Sequence, residues 1–303
     1  MNILIDVNKF KRDDYILNII DNFDKNVVIL DGAMGTMLQD VGLKMIKNPE
    51  DYNITNKDKI EKIHKMYVDA GADIILTNTF GANDVRLKSS SFTVYEIVKS
   101  AVEIAKKSVN GTKCLVALDV GPLGEFIKPK GSIEYEDAIE IFKKQIKVGV
   151  NQGVDLIMIE TMMDLYEMKA AVIAAKDITN KPIFVTMTFN KDLKTIFGYT
   201  VKDMVIELEK LGVDALGFNC STGPKDMIEL VREARYLTKL PIIAMPNRGK
   251  PKVIEDKLVY DMTKEEFLNY IKQIISSGAN IVGGCCGTTP EFISELNKNL
   301  NKK

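Results

Sequence analysis

The sequence predicts a single-domain α/β protein with the (β/α)8 fold, a TIM barrel. Eight short apolar segments alternate with eight predicted helices along the 303 residues. Regular alternation of strands and helices favours a parallel sheet, and eight such units fit a closed barrel. The apolar segments lack strict alternation of apolar and polar residues, which is typical of strands covered on both faces. The alternative is an open doubly wound sheet, but no G-x-G-x-x-G sequence follows the first strand.

A local pattern that recurs four times marks where helices end and strands begin. Each copy has a glycine after a helical segment, then a small residue, then Asp or Asn, then an apolar run. Glycine in this position can adopt the left-handed conformation that ends a helix. The four copies are 69–76 (DAGADIIL), 151–158 (NQGVDLIM), 210–217 (KLGVDALG) and 276–283 (SSGANIVG).

These signals assign every element in order. The predicted strands are 27–31, 73–77, 113–119, 155–160, 182–188, 214–219, 241–246 and 280–284. The predicted helices are 57–70, 93–109, 135–152, 165–178, 201–211, 225–238, 263–277 and 290–299. Residues 1–26 are predicted to form an N-terminal extension, with a short helix at 13–23, packed on the barrel. Residues 27–303 then form the barrel domain, since no linker or low-complexity segment interrupts them.

Composition and charge indicate an ordinary globular protein. Apolar residues make up 46% of the chain, charged residues make up 27%, and the net charge is −1. Without a dense block of Lys or Arg, neither nucleic acid nor a membrane surface is favoured as a partner. No secretory signal is recognisable, and four cysteines are too few for a disulfide framework. We therefore expect a cytoplasmic protein with reduced thiols.

Three cysteines follow two strands that lie close together in the predicted barrel. Cys220 follows the sixth strand in ALGFNCSTGP, and Cys285 and Cys286 follow the eighth in NIVGGCCGTTP. Both positions lie at the C-terminal rim, where barrel enzymes have their active sites. The three thiolates are a plausible zinc set. Because no fourth protein ligand is evident, one coordination position would stay open, as in catalytic zinc sites.

Purely structural interpretations of the cysteines and of the single histidine are also open. The cysteine pair alone could pack in the core beside a tight turn, and Gly283, Gly284 and Gly287 would supply unusual backbone angles in either case. Cys114 lies at the opposite end of the barrel and is expected to be a small buried residue. His64, the single histidine, lies in the middle of a helix and is expected on its surface or partly packed.

A zinc ion held by three thiolates favours one kind of chemistry. The metal lowers the pKa of an incoming thiol, which then binds as the thiolate at neutral pH. Strong donation by sulfur makes the ion a weak Lewis acid, so the bound sulfur remains nucleophilic. Such a site suits alkylation of a thiol better than activation of water, for which nitrogen and carboxylate ligands are usual.

Two acids at the same rim indicate a pocket for an amino acid. Asp31 ends the first predicted strand in ILDGAMGTM, and Glu160 ends the fourth in LIMIETMMD. Two carboxylates could hold an ammonium group, while the amides of the small-residue turn at Gly32 and Ala33 could meet a carboxylate. The alternatives are that Asp31 caps a helix and that Glu160 belongs to a structural ion pair.

These motifs together resemble the homocysteine S-methyltransferase family over roughly residues 27–297. The resemblance runs through LDGAMGT, TNTF, IET, GFNCSTGP and GGCCGTTP, and it is most similar to the homocysteine-binding domain of cobalamin-dependent methionine synthase. It implies a (β/α)8 barrel with Zn2+ on three catalytic cysteines and the homocysteine sulfur in the fourth position. The implied metal ligands are Cys220, Cys285 and Cys286.

The resemblance also implies roles for the residues of the pocket. Asp31 and Glu160 match residues that hold the substrate amino group, and Gly32 and Ala33 match the turn whose amides meet its carboxylate. The further substrate-binding candidates are Thr77, which begins TNTF, and Asn219 and Asn247, which match polar residues near the metal and substrate.

The chain departs from the family pattern at four positions. An acid often precedes TNTF, where this chain has Leu76, and PNAG is replaced by PNRG, which places Arg248 at the rim. GTTPEHI is replaced by GTTPEFI with Phe292. Betaine-dependent relatives have a tyrosine where this chain has Gly81, which makes betaine less favoured as the methyl donor.

The expected function is methyl transfer to homocysteine, giving methionine. Because no folate or cobalamin domain is recognisable in these residues, methylcobalamin on a separate corrinoid protein or methyl-donor domain is the expected donor. One alternative is a small free donor such as S-methylmethionine. An alternative of another class is a structural or storage zinc protein without turnover, which would have a fourth protein ligand.

Overall fold

An eight-stranded parallel sheet confirms the predicted barrel. The computed structural model describes residues 27–44, 46–220, 223–249, 252–254 and 257–300, so the predicted extension 1–26, with its helix at 13–23, lies outside the described residues. The barrel strands are β1 (Val28–Ile29), β2 (Ile74–Leu76), β3 (Leu115–Val120), β4 (Leu156–Met162), β5 (Ile183–Met187), β6 (Ala215–Asn219), β7 (Ile242–Met245) and β10 (Ile281–Val282). Neighbours along the chain pair in parallel, β10 pairs with β1, and a bridge from Leu30 to Ile74 joins β1 to β2.

Ten α-helices occur in the described part of the chain. They are α1 (Met34–Asp40), α2 (Tyr52–Thr55), α3 (Lys57–Asp69), α4 (Val94–Ser108), α5 (Tyr135–Asn151), α6 (Leu165–Ile178), α7 (Val201–Leu211), α8 (Pro224–Leu237), α9 (Lys264–Ser276) and α10 (Pro290–Leu300). All eight predicted helices are present, and their ends agree with the prediction to within one residue. The sequence did not predict α1, α2 or the antiparallel hairpin of β8 (Lys252–Ile254) and β9 (Lys257–Val259). None of the helices in the described ranges is both long and apolar enough to cross a membrane.

The recurring Gly-x-Asp/Asn pattern ties pairs of strands together where they begin. The side chain of Asp73, just before β2, accepts a hydrogen bond from the backbone N–H of Ile29 in β1 at 2.8 Å. Equivalent bonds join Asp155 to Val116 (2.7 Å), Asp214 to Ile183 (2.8 Å) and Asn280 to Ile242 (3.1 Å). Each acceptor satisfies a strand N–H at the end of the barrel opposite the cysteines. The pattern therefore stabilises pairs of strands in the sheet in addition to ending the helices.

Alternate residues of each strand face two separate cores. One set lies inside the barrel: Val28, Leu30, Ile74, Leu76, Leu115, Ala117, Leu156, Met158, Phe184, Ala215, Ile243, Met245 and Ile281. The other set packs beneath the helices, which explains why the strands read as continuous apolar runs. On β3 and β4 the inward series continues to Asp119 and Glu160 at the C-terminal end. The barrel interior is thus apolar along most of its length and acidic at the C-terminal ends of the strands.

Candidate active site

A cavity of about 270 Å³ opens at the C-terminal ends of the strands. Its wall combines the three rim cysteines with buried acids and the turn before α1. Of the candidate residues, these contribute to the wall: Asp31, Gly32, Ala33, Thr77, Glu160, Cys220, Cys285 and Cys286. Asn219 and Asn247 lie close by but outside the cavity lining. The structure therefore brings most of the predicted site residues to one place.

The three cysteines form the one cluster of potential metal ligands in the described ranges of the chain. Their sulfur atoms all lie within 4.8 Å of one another, and the Sγ atoms of Cys220 and Cys286 are 3.9 Å apart. Tetrahedral zinc with Zn–S bonds of about 2.3 Å holds its sulfur ligands roughly 3.8 Å apart. The spacing and the chemistry of the donors therefore fit a zinc ion. Cys286 is exposed, whereas Cys220 and Cys285 are half-buried.

The backbone around the cysteines is held by contacts between three loops. Cys220 adopts a left-handed conformation (φ 57°), and its N–H donates to Met245 O at 3.1 Å. The N–H of Cys285 donates to Pro246 O at 2.9 Å. The loops after β6, β7 and β10 are thus bonded to one another. Left-handed backbone is costly for a residue other than glycine, so the position of Cys220 is enforced by its surroundings.

The glycines beside the cysteine pair are needed mainly because neighbouring atoms leave no room for a side chain. Of the three that were expected to supply unusual angles, only Gly287 has a positive φ (83°). A Cβ atom on Gly284 would lie 2.3 Å from Thr288 Oγ1, and one on Gly283 would lie 2.8 Å from Leu30 Cβ. A side chain at Gly283 would therefore collide with Leu30 at the end of β1, and one at Gly284 would collide with Thr288 within the same loop.

Hydrogen bonding between the thiols favours their protonated forms in the absence of a cation. Contact with Cys220 raises the pKa of Cys286 to about 12 and raises that of Cys285 well above its usual range. A metal ion that binds here must displace these protons, as thiolate ligands require.

Asp31 and Glu160 are buried carboxyls in the cavity wall. The Oδ2 atom of Asp31 accepts from Leu76 N–H at 2.9 Å, while Glu160 Oε2 has no hydrogen-bond partner among the residues described. Burial raises the pKa of Glu160 to about 8, with the Cys220 charge adding to the effect, and it raises that of Asp31 well above its usual range. The cap residue of α1 is Ala33, so Asp31 does not cap that helix. Nor does Glu160 join an ion pair within the described ranges.

The turn before α1 is fixed from beneath. Ala33 N–H donates to Thr288 Oγ1 at 3.2 Å, and the Tyr67 hydroxyl donates to Ala33 O at 3.1 Å. A Cβ atom on Gly32 would lie 2.7 Å from Thr288 Oγ1, so this position requires glycine. The Ala33 amide is therefore already engaged by the wall, which leaves Gly32 and the start of α1 to face the cavity.

Asn219 builds the wall rather than lining it. Its Oδ1 atom accepts from Thr161 N–H and from Thr186 Oγ1, both at 2.9 Å, and its Nδ2 donates to Thr161 Oγ1 at 2.7 Å. Thr161 is left-handed (φ 61°) at a register shift of β4, directly after Glu160. Asn219 thus stabilises the irregular backbone that carries Glu160. Asn247 is also buried, and its Oδ1 atom has no partner in the described part of the chain.

Two further acids in the cavity wall were missed by the sequence analysis. Glu50 comes from a 3-10 turn, and its Oε1 atom accepts from Gly81 N–H at 2.6 Å, which holds the loop after β2. Asp119 lies in β3, and its backbone N–H donates to Thr77 Oγ1 at 3.1 Å. Thr77 therefore supports a strand end in addition to lining the cavity. The alternation Leu115, Ala117, Asp119 was the signal that could have revealed the second acid.

Two departures from the family pattern lie against each other. The Arg248 guanidinium lies 4.7 Å from the centre of the Phe292 ring, and its Nε donates to Met262 O at 2.9 Å. The Arg248 N–H also donates to Cys286 O at 2.9 Å. The Arg248 backbone therefore joins the β7 loop to the cysteine loop, while its side chain contacts Met262 and the Phe292 ring of α10. The expectation for Cys114, which is buried away from the cluster, is confirmed, but His64 is fully buried rather than on a surface.

Comparisons with known proteins agree with this geometry. The family described as "Homocysteine S-methyltransferase" matches residues 28–300. The methionine synthase of Mycobacterium leprae (strain TN) is 30% identical over 305 residues, and that of Mycobacterium tuberculosis (strain ATCC 25618 / H37Rv) is 31% identical over 301 residues. Each alignment covers 93% of this chain but 25% of the relative. The chain therefore spans about a quarter of the length of these curated relatives.

Solved structures share the whole barrel. The metallated form of the homocysteine methyltransferase MmuM from Escherichia coli has a TM-score of 0.80 at 24% identity, covering 92% of this chain and 98% of that one. Its apo form has a TM-score of 0.73 at 25% identity, covering 91% and 97% of the two chains. The carboxyl transferase domain of Rhizobium etli pyruvate carboxylase shares the fold alone, with a TM-score of 0.56 at 13% identity over 95% of this chain and 50% of that chain.

Proposed function

Because the chain belongs to the homocysteine S-methyltransferase family, we propose that it transfers a methyl group to the sulfur of homocysteine and gives methionine. The observation that carries the proposal is the triad of thiols at the wall of an acid-lined cavity. The acceptor sulfur attacks the methyl carbon, so that a C–S bond forms as the bond from methyl to donor breaks. The donor keeps the electron pair of that bond, and the thiol proton is released.

We propose Cys220, Cys285 and Cys286 as the residues that hold zinc. When bound, the ion supplies positive charge that lowers the pKa of the acceptor thiol and favours its thiolate. Cys286 is exposed and Cys220 and Cys285 are half-buried, so a donor can approach an acceptor sulfur that binds beside them.

The rest of the cavity suits the amino acid part of homocysteine. Asp31 and Glu160 line the cavity, and they are the proposed acceptors for the ammonium group. Gly32 and the amides at the start of α1 border the cavity, and this turn is the proposed position of the substrate carboxylate. We propose that Asn219, through its hydrogen bonds to Thr161, and Thr77, through its hydrogen bond to β3, hold the binding residues in place.

The proposed donor is methylcobalamin on a separate corrinoid protein or methyl-donor domain. The similarity to about a quarter of two methionine synthases supports this choice, since most of their length lies outside the matched region. A small free donor such as S-methylmethionine is the second candidate. It is favoured by the alignment with 98% of a homocysteine methyltransferase chain, which consists of little more than the barrel. A thiol-dependent site of this kind requires reducing conditions, and we propose the cytoplasm as its location.

A parallel assay of donors tests the reaction. The zinc-loaded protein is given L-homocysteine with methylcobalamin, S-methylmethionine or betaine, and methionine is measured. Formation with methylcobalamin supports the first candidate, and formation with S-methylmethionine alone supports the second. No methionine from any of the three donors would count against methyl transfer to homocysteine.

The zinc ligands are tested separately from turnover. Cys220→Ser is expected to lose bound zinc and methionine formation, while the matched variant Cys114→Ala, outside the cluster, keeps both. X-ray absorption at the zinc edge should show one additional sulfur ligand when homocysteine is added. A sulfur count that does not respond to homocysteine would instead support a structural or storage zinc protein.

A further inference from the structure

A third buried carboxyl faces the cavity, and the proposed reaction has so far left it without a role. Asp119 is only 7% exposed, it forms part of the cavity wall, and it continues the inward series of β3. Its Oδ1 atom has no hydrogen-bond partner among the described residues. A buried polar atom without a partner carries a free-energy cost, so a donor that is supplied by a ligand would be favoured here.

The backbone of Asp119 is fixed while its carboxyl stays available. Its N–H donates to Thr77 Oγ1 at 3.1 Å, and its carbonyl oxygen accepts from Thr79 Oγ1 at 2.7 Å and from Gln145 Nε2 at 3.0 Å. These bonds use the main chain alone. These neighbours therefore fix the position of Asp119 and leave its carboxyl available to a ligand.

The groups that face Asp119 are acids. Asp31, Glu50 and Glu160 interact with it electrostatically, and no Lys, Arg or His belongs to the cavity wall in the described part of the chain. Glu50 is already engaged by the Gly81 N–H at 2.6 Å. The remaining three carboxyls form a site that favours positive charge.

The shape of this acidic site argues against a metal ion. Among the described residues, the thiol cluster alone has three ligand atoms within 4.8 Å of one another. Asp31, Asp119 and Glu160 therefore do not offer three oxygen atoms within 4.8 Å of one another. A primary ammonium group has three diverging N–H donors, and with N···O distances of about 3 Å its acceptors lie roughly 5 Å apart.

We propose that Asp119 is the third acceptor for the α-ammonium group of the substrate, beside Asp31 and Glu160. This inference rests on the proposed function and extends it to the class of substrate. With an acceptor for each N–H, the site selects thiols that carry a free primary amino group. It disfavours thiols of the same length without one, because three buried carboxyls would then stay unmatched.

The test compares two ligands that differ in the amino group. Binding of L-homocysteine and of 4-mercaptobutyrate to the zinc-loaded protein is measured by calorimetry in the wild type, Asp119→Asn and Glu50→Gln. Asp119→Asn is expected to weaken L-homocysteine binding about 10- to 100-fold, as for a hydrogen bond to a charged group, and to leave 4-mercaptobutyrate within about twofold. Glu50→Gln, which also removes an acid from the wall, should change the affinity for either ligand less than about threefold.

The outcomes separate this inference from the proposed function. If the wild type binds L-homocysteine and Asp119→Asn binds it equally well, or loses both ligands equally, the role of Asp119 is wrong. If the zinc-loaded wild type does not bind L-homocysteine at all, the proposed function fails, and this inference fails with it. Should Asp119→Asn not fold, Asp119→Ser removes the same charge with a smaller side chain, and the same contrast between ligands is required.

Discussion

Thr161 and Cys220, both in the cavity wall, have left-handed backbone, although neither is glycine. Such a conformation costs roughly 1–3 kcal/mol for a residue with a Cβ atom and persists only where contacts enforce it. Asn219 precedes Cys220 and bonds both the N–H and the hydroxyl of Thr161. One side chain therefore links the two irregular positions, which lie next to Glu160 and at Cys220.

Removal of that side chain is expected to damage the site and the fold together. Asn219→Ala should lower the free energy of unfolding by about 2–4 kcal/mol, because it leaves the partly buried Thr161 N–H and the buried Thr186 hydroxyl without an acceptor. Chemical denaturation measures this loss. Asn151→Ala, at an exposed position near the end of α5, is the matched control and should stay within about 0.5 kcal/mol of the wild type. Equal stability of the two variants would contradict the role of Asn219.

The site could be predicted in part because its residues follow predicted strands. The cysteines, Asp31 and Glu160 come just after or at the end of strands, and parallel strands in a barrel end at one rim. Asp119 was missed because it ends a strand that reads as continuously apolar, where the side facing inward is not obvious. The role of Asn219 could not be predicted, since it depends on Thr161, 58 residues away, and on a register shift in β4.

At the scale of elements, strand and helix positions were predictable because Gly-x-Asp/Asn marks four of the eight junctions. The short α1, the single turn of α2 and the hairpin of β8 and β9 were missed for a physical reason. They carry no periodic apolar pattern, and the cap residue of α1 makes no side-chain hydrogen bond.

The Asp and Asn side chains of this pattern give a prediction with an internal control. Asp214 accepts from Ile183 N–H in the same way as Asn280 accepts from Ile242 N–H. Asp214→Asn is therefore expected to change the free energy of unfolding by less than about 0.5 kcal/mol, while Asp214→Ala should cost about 1–2 kcal/mol because a strand N–H loses its acceptor. Denaturation of both variants measures the difference. A similar loss in Asn and Ala would show that the charge, rather than the hydrogen bond, is what stabilises the strand.

At the scale of the whole molecule, buried titratable groups make stability depend on pH in opposite directions. Burial raises the pKa values of Glu160 to about 8 and of Glu167 to about 7, so each carboxyl favours the folded state as the pH falls toward its unfolded value near 4.5. His64 acts the other way, because burial lowers its pKa from 6.5 to about 4. Between pH 6.5 and about 4, this ring is protonated in the unfolded chain but neutral in the folded chain.

The contribution of His64 can be isolated because it is the single histidine of the chain. Between pH 6.5 and about 4, the stability of the wild type relative to His64→Leu should fall by roughly 1.4 kcal/mol per pH unit, about 3 kcal/mol in total, and it should be constant above this window. Denaturation of both proteins across this range gives the difference, in which the carboxyl contributions cancel. The NMR signal of the ring reports the same pKa in the folded protein. A ring that titrates near pH 6.5 while the protein is folded, or a difference in stability that does not vary with pH, would show that His64 is hydrated rather than enclosed by α3 and its neighbours.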